Sequence, residues 1–448
     1  MKIYVRVKGG PGSGFRNHRG RPGARGGSSA DMYPVSFNPL TVAIFNDIRA
    51  AGGKPYLVGG FPRDLVRGKQ PKDLDTEVHG LPLDKLQTIL EKHASVNAVG
   101  KSFGILKVDM RKDGGDELDF SVPRTENKVG VGHTGFAVTT NPNMSMRESA
   151  SRRDFTMNSM LLGVDGKLYD PYNGKADLEA RILRHVSPKF AEDPLRVLRG
   201  VQFAARDNMT MAAETADLSR SLSPEYSSLA KDRVWGEFDK LGKKGDYAGA
   251  GLQILQDTGW VEHFPGLRDM DAATFNAAKT SATNAAQAAK RDGLSLDQRS
   301  HEVFAATLSH TTADRARAFL KEVGAPNDVV NGVVPIVENA RNLPKTASVS
   351  YTRRLSNALG EKVSVSSFTR VLDAMGHKDL AGNIRSVAER EGILHSPVKA
   401  YVQGRDLLAR GVKPGKQMGV ILAQLFNMQL DGASPIEVNI KLNELLGG

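Results

Sequence analysis

Tyr56-Leu57-Val58-Gly59-Gly60-Phe61-Pro62-Arg63-Asp64 and, a little further on, Asp73-Leu74-Asp75-Thr76-Glu77-Val78 are the stretches that decide how this chain folds. The apolar run ending at Val58 suits a buried strand, Gly59-Gly60 suits a turn where backbone approaches a phosphate, and Pro62 sits where a helix can begin. Free N–H groups in such a turn, followed by a helix start, favour an anion. In the second stretch the two-residue period of a strand sends Asp73 and Asp75 to one face, with Leu74 and Thr76 on the other. Two carboxylates that close repel each other unless a cation lies between them. A hard, oxygen-seeking ion such as Mg2+ suits the pair.

A third carboxylate would allow two ions, one at the attacking oxygen and one on a triphosphate. Asp119 is the candidate. It lies in Glu117-Leu118-Asp119-Phe120-Ser121-Val122, whose polar residues alternate with Leu118, Phe120 and Val122 as in a half-buried strand. A D-x-D sequence by itself is common on solvated strand faces and in turns; the upstream Gly59-Gly60 and Arg63-Asp64 give this one its weight.

At these residues the chain resembles the tRNA nucleotidyltransferases and bacterial poly(A) polymerases, which share a head domain of the DNA polymerase beta superfamily. The likeness runs on through Asp119 to Glu126 and Gly132 to Phe136, in the manner of the bacterial class II branch with a longer C-terminal body. Arg152-Arg153-Asp154-Phe155-Thr156-Met157-Asn158 is similar to the family's second motif. Tyr169 to Gly174 and Asp177 to Val186 look like its connector, and Ala191 to Arg199 like its base-selecting helix. Gly404 to Leu407 and Gly411 to Gly415 return to the family's pattern. The resemblance implies two Mg2+ ions held by Asp73 and Asp75, with Asp119 helping to deprotonate the attacking hydroxyl. It implies CTP and ATP as substrates, bound by Gly59, Gly60, Arg63, Asp64, Arg152, Arg153, Asp154, Asn158, Glu192, Asp193, Arg196 and Arg199. The implied partner is the tRNA 3′ end and acceptor arm.

Hydrogen bonding gives the base-selecting segment a rationale. Cytosine and adenine both present an amino donor beside a ring-nitrogen acceptor, whereas uracil and guanine present a carbonyl beside a ring N–H. Asp193 and Arg196, three apart, would share a helix face, the carboxylate accepting from the amino group and the guanidinium donating to the ring nitrogen. The competing reading is an ordinary surface ion pair of little worth. The Arg153-Asp154 motif upstream favours the template.

The formal net charge of +11 is concentrated at one end: residues 1–29 hold seven basic residues and no acidic one, leaving 54 basic against 50 acidic in the rest. Any grip on tRNA phosphates must therefore come from a local basic stripe. The Gly/Arg-rich start cannot bury a core and is expected to be disordered. Its Gly-Arg-Pro-Gly run is similar to the N-termini of some bacteriophage head-associated proteins, which makes a phage-encoded enzyme one candidate. The absence of cysteine excludes disulfides and thiolate metal sites. No stretch reaches the roughly 18–20 apolar residues of a membrane span, so a soluble cytoplasmic protein is expected.

The expected fold class is α+β: a small mixed-sheet nucleotidyltransferase head, polymerase beta-like, followed by an all-helical neck, body and tail. The boundaries expected are a disordered tail at 1–35, the head at 36–163, a neck with the base-selecting helix at 164–260, a body at 261–390 and a tRNA-binding tail at 391–448. Apolar spacing predicts helices over Pro194–Arg206, Leu252–Gly259, Phe304–Lys321 and Gly419–Leu430. Three activities compete: CCA addition to tRNA, poly(A) or partial (A-adding or CC-adding) synthesis, and an inactive RNA-binding homologue. The poly(A) branch usually carries a Gly-Arg-Arg-Phe-like run after the aspartates; Gly100-Lys101-Ser102-Phe103-Gly104 departs from it and favours CCA addition.

Overall fold

In the computed structural model, which describes residues 32–111, 117–128 and 136–447, the run before Gly59 is a strand, β1 (Lys54–Val58). It is preceded by α1 (Pro39–Ala50), capped by the Asn38 side chain, which accepts from Thr41 N–H at 2.8 Å. After β1 come α2 (Gly60–Val66), β2 (Asp75–His79), α3 (Leu83–Glu91), β3 (Ser95–Asn97), β4 (Ile105–Asp109) and β5 (Glu117–Ser121). Next are β6 (Arg124–Lys128), β7 (Phe136–Thr140), α4 (Met146–Ser151), β8 (Leu161–Gly163) and β9 (Leu168–Tyr169). Among the described residues the main sheet has the order β3-β4-β5-β2-β1-β8-β9, while β6 and β7 form a separate antiparallel ladder. Only β2 and β5 pair in parallel in that sheet, because the chain crosses over through α3, β3 and β4 between them. Leu118 and Phe120 are buried while Asp119 between them is not, as the two-residue period requires. Phe45 of α1 packs edge-on to Phe120 at 6.4 Å, closing that face.

The chain divides into two units. The first comprises residues up to 200 together with 209–229, and the second 201–208 with 230–448, so the division falls inside α6 (Leu195–Asp207). Besides the sheet, the first unit holds α5 (Gly174–Ala180), β10 (Ile182–Leu183), β11 (Thr210–Met211) and α7 (Ala213–Ser221), with β10 and β11 parallel. The connector motif is structural: both Asp170 carboxylate oxygens accept from the first N–H groups of α5, at 2.7 Å from Gly174 and 2.9 Å from Lys175. Gly174 lies so close to Thr156 that an added Cβ would overlap its carbonyl oxygen.

The second unit is helical. It contains α8 (Lys231–Lys244), α9 (Ala248–Asp257), α10 (Ala272–Arg291), α11 (Leu296–Leu308), α12 (Ala313–Glu322) and α13 (Asn327–Asn339). These are followed by α14 (Val349–Leu359), α15 (Val365–Ala374), α16 (Lys378–Glu391), α17 (Gly404–Ala409), α18 (Lys416–Leu430) and α19 (Pro435–Leu445). Ala278, Ala282, Ala285 and Ala289 make a buried stripe along α10, and small side chains let neighbouring helices approach closely. Phe238 packs edge-on to Phe264 and Phe319, and Phe304 lies tilted against Phe319, forming an aromatic core. The last three helices bury their own cluster around Leu407, Leu425 and Val438.

The α+β class with a mixed-sheet head and helical remainder is what the structure shows. Two expectations are corrected. The helix expected over Phe304–Lys321 is broken into α11 and α12, because Thr312 caps the second by accepting from Arg315 N–H and so ends the first. The expected disordered tail takes in residues 32–35, yet Met32 bridges Lys167 and Tyr33 N–H donates to Gly166 O at 2.6 Å. Backbone pairing at a sheet edge leaves no compositional trace. The rest of that tail, and the Gly132 to Gly135 part of the motif run, lie outside the described residues. Among the described residues no helix is long and apolar enough to cross a membrane.

Candidate active site

The strand register builds the site. Val58 at the end of β1 is the partner of Asp75, and Asp75 is the partner of Asp119 across the β2–β5 pair. Neighbouring strands lie about 5 Å apart, so the glycine turn and two acidic side chains line up across three strands. Gly59 has φ +71°, which a side chain would strain. An added Cβ there would lie 3.8 Å from Asp75 Oδ2 and 4.0 Å from Arg153 Nη1, so the turn, one carboxylate and one guanidinium converge.

Asp73 is placed differently from the expectation. β2 begins at Asp75, because β1 turns away at Gly59 and leaves residues 73 and 74 without a ladder partner; Asp73 lies in the loop before the strand. Its charge is nonetheless felt. Burial first, then Asp119, with a smaller push from Asp73, raise the Asp75 carboxyl to about 6 against the pull of Arg153 and Lys107. Lys107 on β4 lies 3.5 Å from Asp119 Oδ1 and 3.4 Å from Glu117 Oε1. It was not singled out from sequence, where nothing distinguishes it from other strand lysines.

Behind Asp75 on the same face of β2 stand Glu77 and His79, both buried. His79 Nε2 lies 2.8 Å from Glu77 Oε1, and its Nδ1 is 3.0 Å from Met144 O. Arg153 Nη2 donates to Glu77 Oε2 at 3.4 Å, and Arg152 Nη2 stands 3.7 Å from the same oxygen. Burial works to raise the Glu77 carboxyl, but the His79 hydrogen bond and the charges of Arg153, His79 and Arg152 outweigh it and hold the group at about 2. The sequence signal was present: continuing the period from Asp75 puts residues 77 and 79 on its face.

Several residues expected at the nucleotide also brace one another. Arg63 is buried and donates from Nη1 to Asn158 Oδ1 at 2.8 Å, while its Nε lies 3.2 Å from Asp64. Asp154, also buried, accepts from Arg199 Nε at 2.8 Å, from Asn158 Nδ2 at 3.1 Å and from Phe155 N at 2.7 Å. Burial opposes its charge, yet Arg199 and then Arg196 hold its carboxyl down at about 2. Removing one side of a buried charge pair leaves the other uncompensated, so Asp154→Ala is expected to cost roughly 3–5 kcal/mol of stability. Because the folded value lies below the unfolded one, near 3.8, Asp154 stabilises the fold above about pH 4. That contribution is lost as pH falls from about 4 to 2. Urea melts at pH 7 and pH 3 check both statements: the gap between wild type and variant should be clearly smaller at pH 3.

The base-selecting segment departs from the helix-face expectation. Glu192 ends a 3-10 turn (Pro188–Glu192), Asp193 is extended at φ −131° and ψ 102°, and α6 starts only at Leu195. Pro194 is the cause, since a residue before proline is pushed out of the helical region. Asp193 Oδ1 accepts from Leu195 N at 3.1 Å, as a cap would. Arg196 Nη1 donates to Lys189 O at 2.9 Å and Nη2 to Arg152 O at 2.5 Å, which fixes the guanidinium plane and ties it to the backbone of the arginine pair.

The part of the chain that carries the sheet and its carboxylates, residues 55–184, matches the Poly A polymerase head domain family. The chain is 43% identical over 192 residues to the multifunctional CCA protein of Pasteurella multocida, covering 42% of this chain and 43% of that one. The chain spans about half the length of the curated relatives it matches. Its fold is that of the CCA-adding enzymes. It matches the Bacillus stearothermophilus CCA-adding enzyme solved with CTP at TM-score 0.64 and 22% identity, over 88% of this chain and 94% of that one. The Thermotoga maritima CCA-adding enzyme complexed with tRNA matches at TM-score 0.60 and 17% identity, over 90% and 95%.

Proposed function

We propose that this chain is a template-independent nucleotidyltransferase that adds C, C and A to the tRNA 3′ end from CTP and ATP. The observation that carries this reading is the Val58–Asp75–Asp119 register, with the Gly59 turn and Arg153 beside it. The names of the P. multocida relative and of the enzymes solved with CTP and tRNA support it. In the reaction the terminal tRNA hydroxyl, giving up its proton with the help of Asp119, attacks the α-phosphorus, the bond to the bridging oxygen breaks, and pyrophosphate leaves.

The all-oxygen donors Asp73, Asp75 and Asp119 fit Mg2+, since a cation offsets both the burial and the like-charge crowding that together push Asp75 up to about 6. Among the described residues no three His, Asp or Glu side chains form a group that could hold a metal ion by themselves. Mg2+ needs none, because it usually takes one or two carboxylates and completes its shell with waters and substrate phosphates. When bound it supplies charge for the triphosphate and the in-line displacement. Arg153 and Arg152 donate to the triphosphate, and the Gly59 turn lets backbone come close. Asp193 accepts from the base amino group while Arg196, its plane already fixed, donates to the ring nitrogen. A buried donor or acceptor left unpaired by uracil or guanine costs about 1–3 kcal/mol, enough to discriminate. The helical tail, residues 391–448, binds the tRNA acceptor arm, and the protein works in the cytoplasm.

Lys101, in the run that departs from the poly(A) pattern, is paired with Asp84 at 2.5 Å, so that turn offers less basic surface than a Gly-Arg-Arg-Phe run would. The test is incorporation on tRNA transcripts ending before CCA, after CC and after CCA, beside an oligo(A) primer. Extension of the first two, with the completed tRNA and oligo(A) inert, is expected. Processive extension of oligo(A) would replace this reading with poly(A) synthesis.

A further inference from the structure

Glu77 is a costly residue to keep. A carboxylate taken out of water loses several kcal/mol unless well partnered, and apolar residues of similar volume often stabilise a fold as well. Its partners are arranged asymmetrically. The imidazole of His79, held by Met144 O on its far side, occupies Oε1, which leaves Oε2 facing Arg153 and Arg152. Arg153 therefore has one terminal nitrogen on the buried Oε2 and the other at the Gly59 turn, near Asp75. A guanidinium is a rigid planar fork, so fixing one end aims the other. Without the anchor, the guanidinium would be drawn to the carboxylates of Asp75 and Asp119, where a cation should sit.

We infer that Glu77, oriented by His79, is a positioning residue that presents Arg153 to the nucleotide triphosphate and keeps it off the acidic pair. The inference rests on the nucleotidyl-transfer reading and adds to it two residues, Glu77 and His79, to which the sequence gives no role.

The test is equilibrium binding of CTP and CMP to the full chain in Mg2+, without tRNA. Wild type should prefer CTP. Glu77→Gln keeps the shape and removes the charge; it should weaken CTP about tenfold and leave CMP unchanged. A general loosening of the fold would instead weaken both. Arg153→Gln should show the same selective loss, and the double variant should be no worse than Arg153→Gln alone. Glu77→Asp, which keeps the charge but withdraws it, should fall between wild type and Glu77→Gln, and serves if Glu77→Gln does not fold. Wild-type preference for CTP with Glu77→Gln unchanged, equal losses for CTP and CMP, or additive losses in the double variant would overturn the positioning role alone. A wild type that binds CTP no better than CMP would overturn the triphosphate site as well.

Discussion

Asp75→Asn is expected to abolish incorporation of CTP and of ATP together, by about a thousandfold or more, while tRNA affinity stays near wild type. Its carboxylate sits where the Gly59 turn, Arg153 and Asp119 meet, so on the proposed reading it would serve the chemistry of both nucleotides. Removing a metal ligand forfeits on the order of 4 kcal/mol of transition-state stabilisation, which is that thousandfold. Most of the RNA grip is phosphate contact made elsewhere. In metal-free buffer the variant should melt no lower than wild type, because a neutral amide in place of the carboxylate would relieve a like-charge crowd that burdens the fold. Asp119→Ala should follow it closely. Single-turnover incorporation, filter binding and thermal melts read the three quantities; loss of only one nucleotide would contradict a shared site.

Asp193→Ala and Arg196→Ala should each lower kcat/KM for both correct nucleotides by about ten- to a hundredfold, which is 1–3 kcal/mol of lost hydrogen bonding. They should differ in one respect. Asp193 loses the acceptor for the amino group and so relaxes the exclusion of UTP and GTP. Arg196 also holds Lys189 O and Arg152 O, so its loss should disturb the backbone that carries the arginine pair and raise the KM for every triphosphate. Single-nucleotide incorporation with all four triphosphates on matched tRNA ends separates these outcomes. Unchanged selectivity in both variants would return the two residues to the role of cap and brace.

How far the sequence disclosed this site depended on distance along the chain. The β1–turn–α2 unit and the alternation that exposes Asp119 are local patterns, and local patterns survive in a sequence read alone. The extended Asp193 was equally local: Pro194 already forbade the helix assumed for it. Glu77 and His79 were one step beyond, needing only the period of β2 carried past Asp75. The buried braces were of another kind. Arg63 finds Asn158 and Arg199 finds Asp154 across 95 and 45 residues, and a charged residue meant for burial looks like one meant for water until its partner is in place. Residues 32–35 escaped for a related reason, since their pairing runs through backbone atoms that every residue shares.

On the proposed reading, one site adds a defined C-C-A and then stops. The most direct measurement is sequencing of the 3′ ends produced by the wild-type chain from a tRNA transcript lacking CCA, supplied with all four nucleoside triphosphates and Mg2+. Ends of C, CC and CCA, appearing in that order and converging on CCA, are expected. Ends that run on as a string of A, or that contain U or G at the frequency supplied, would contradict that reading.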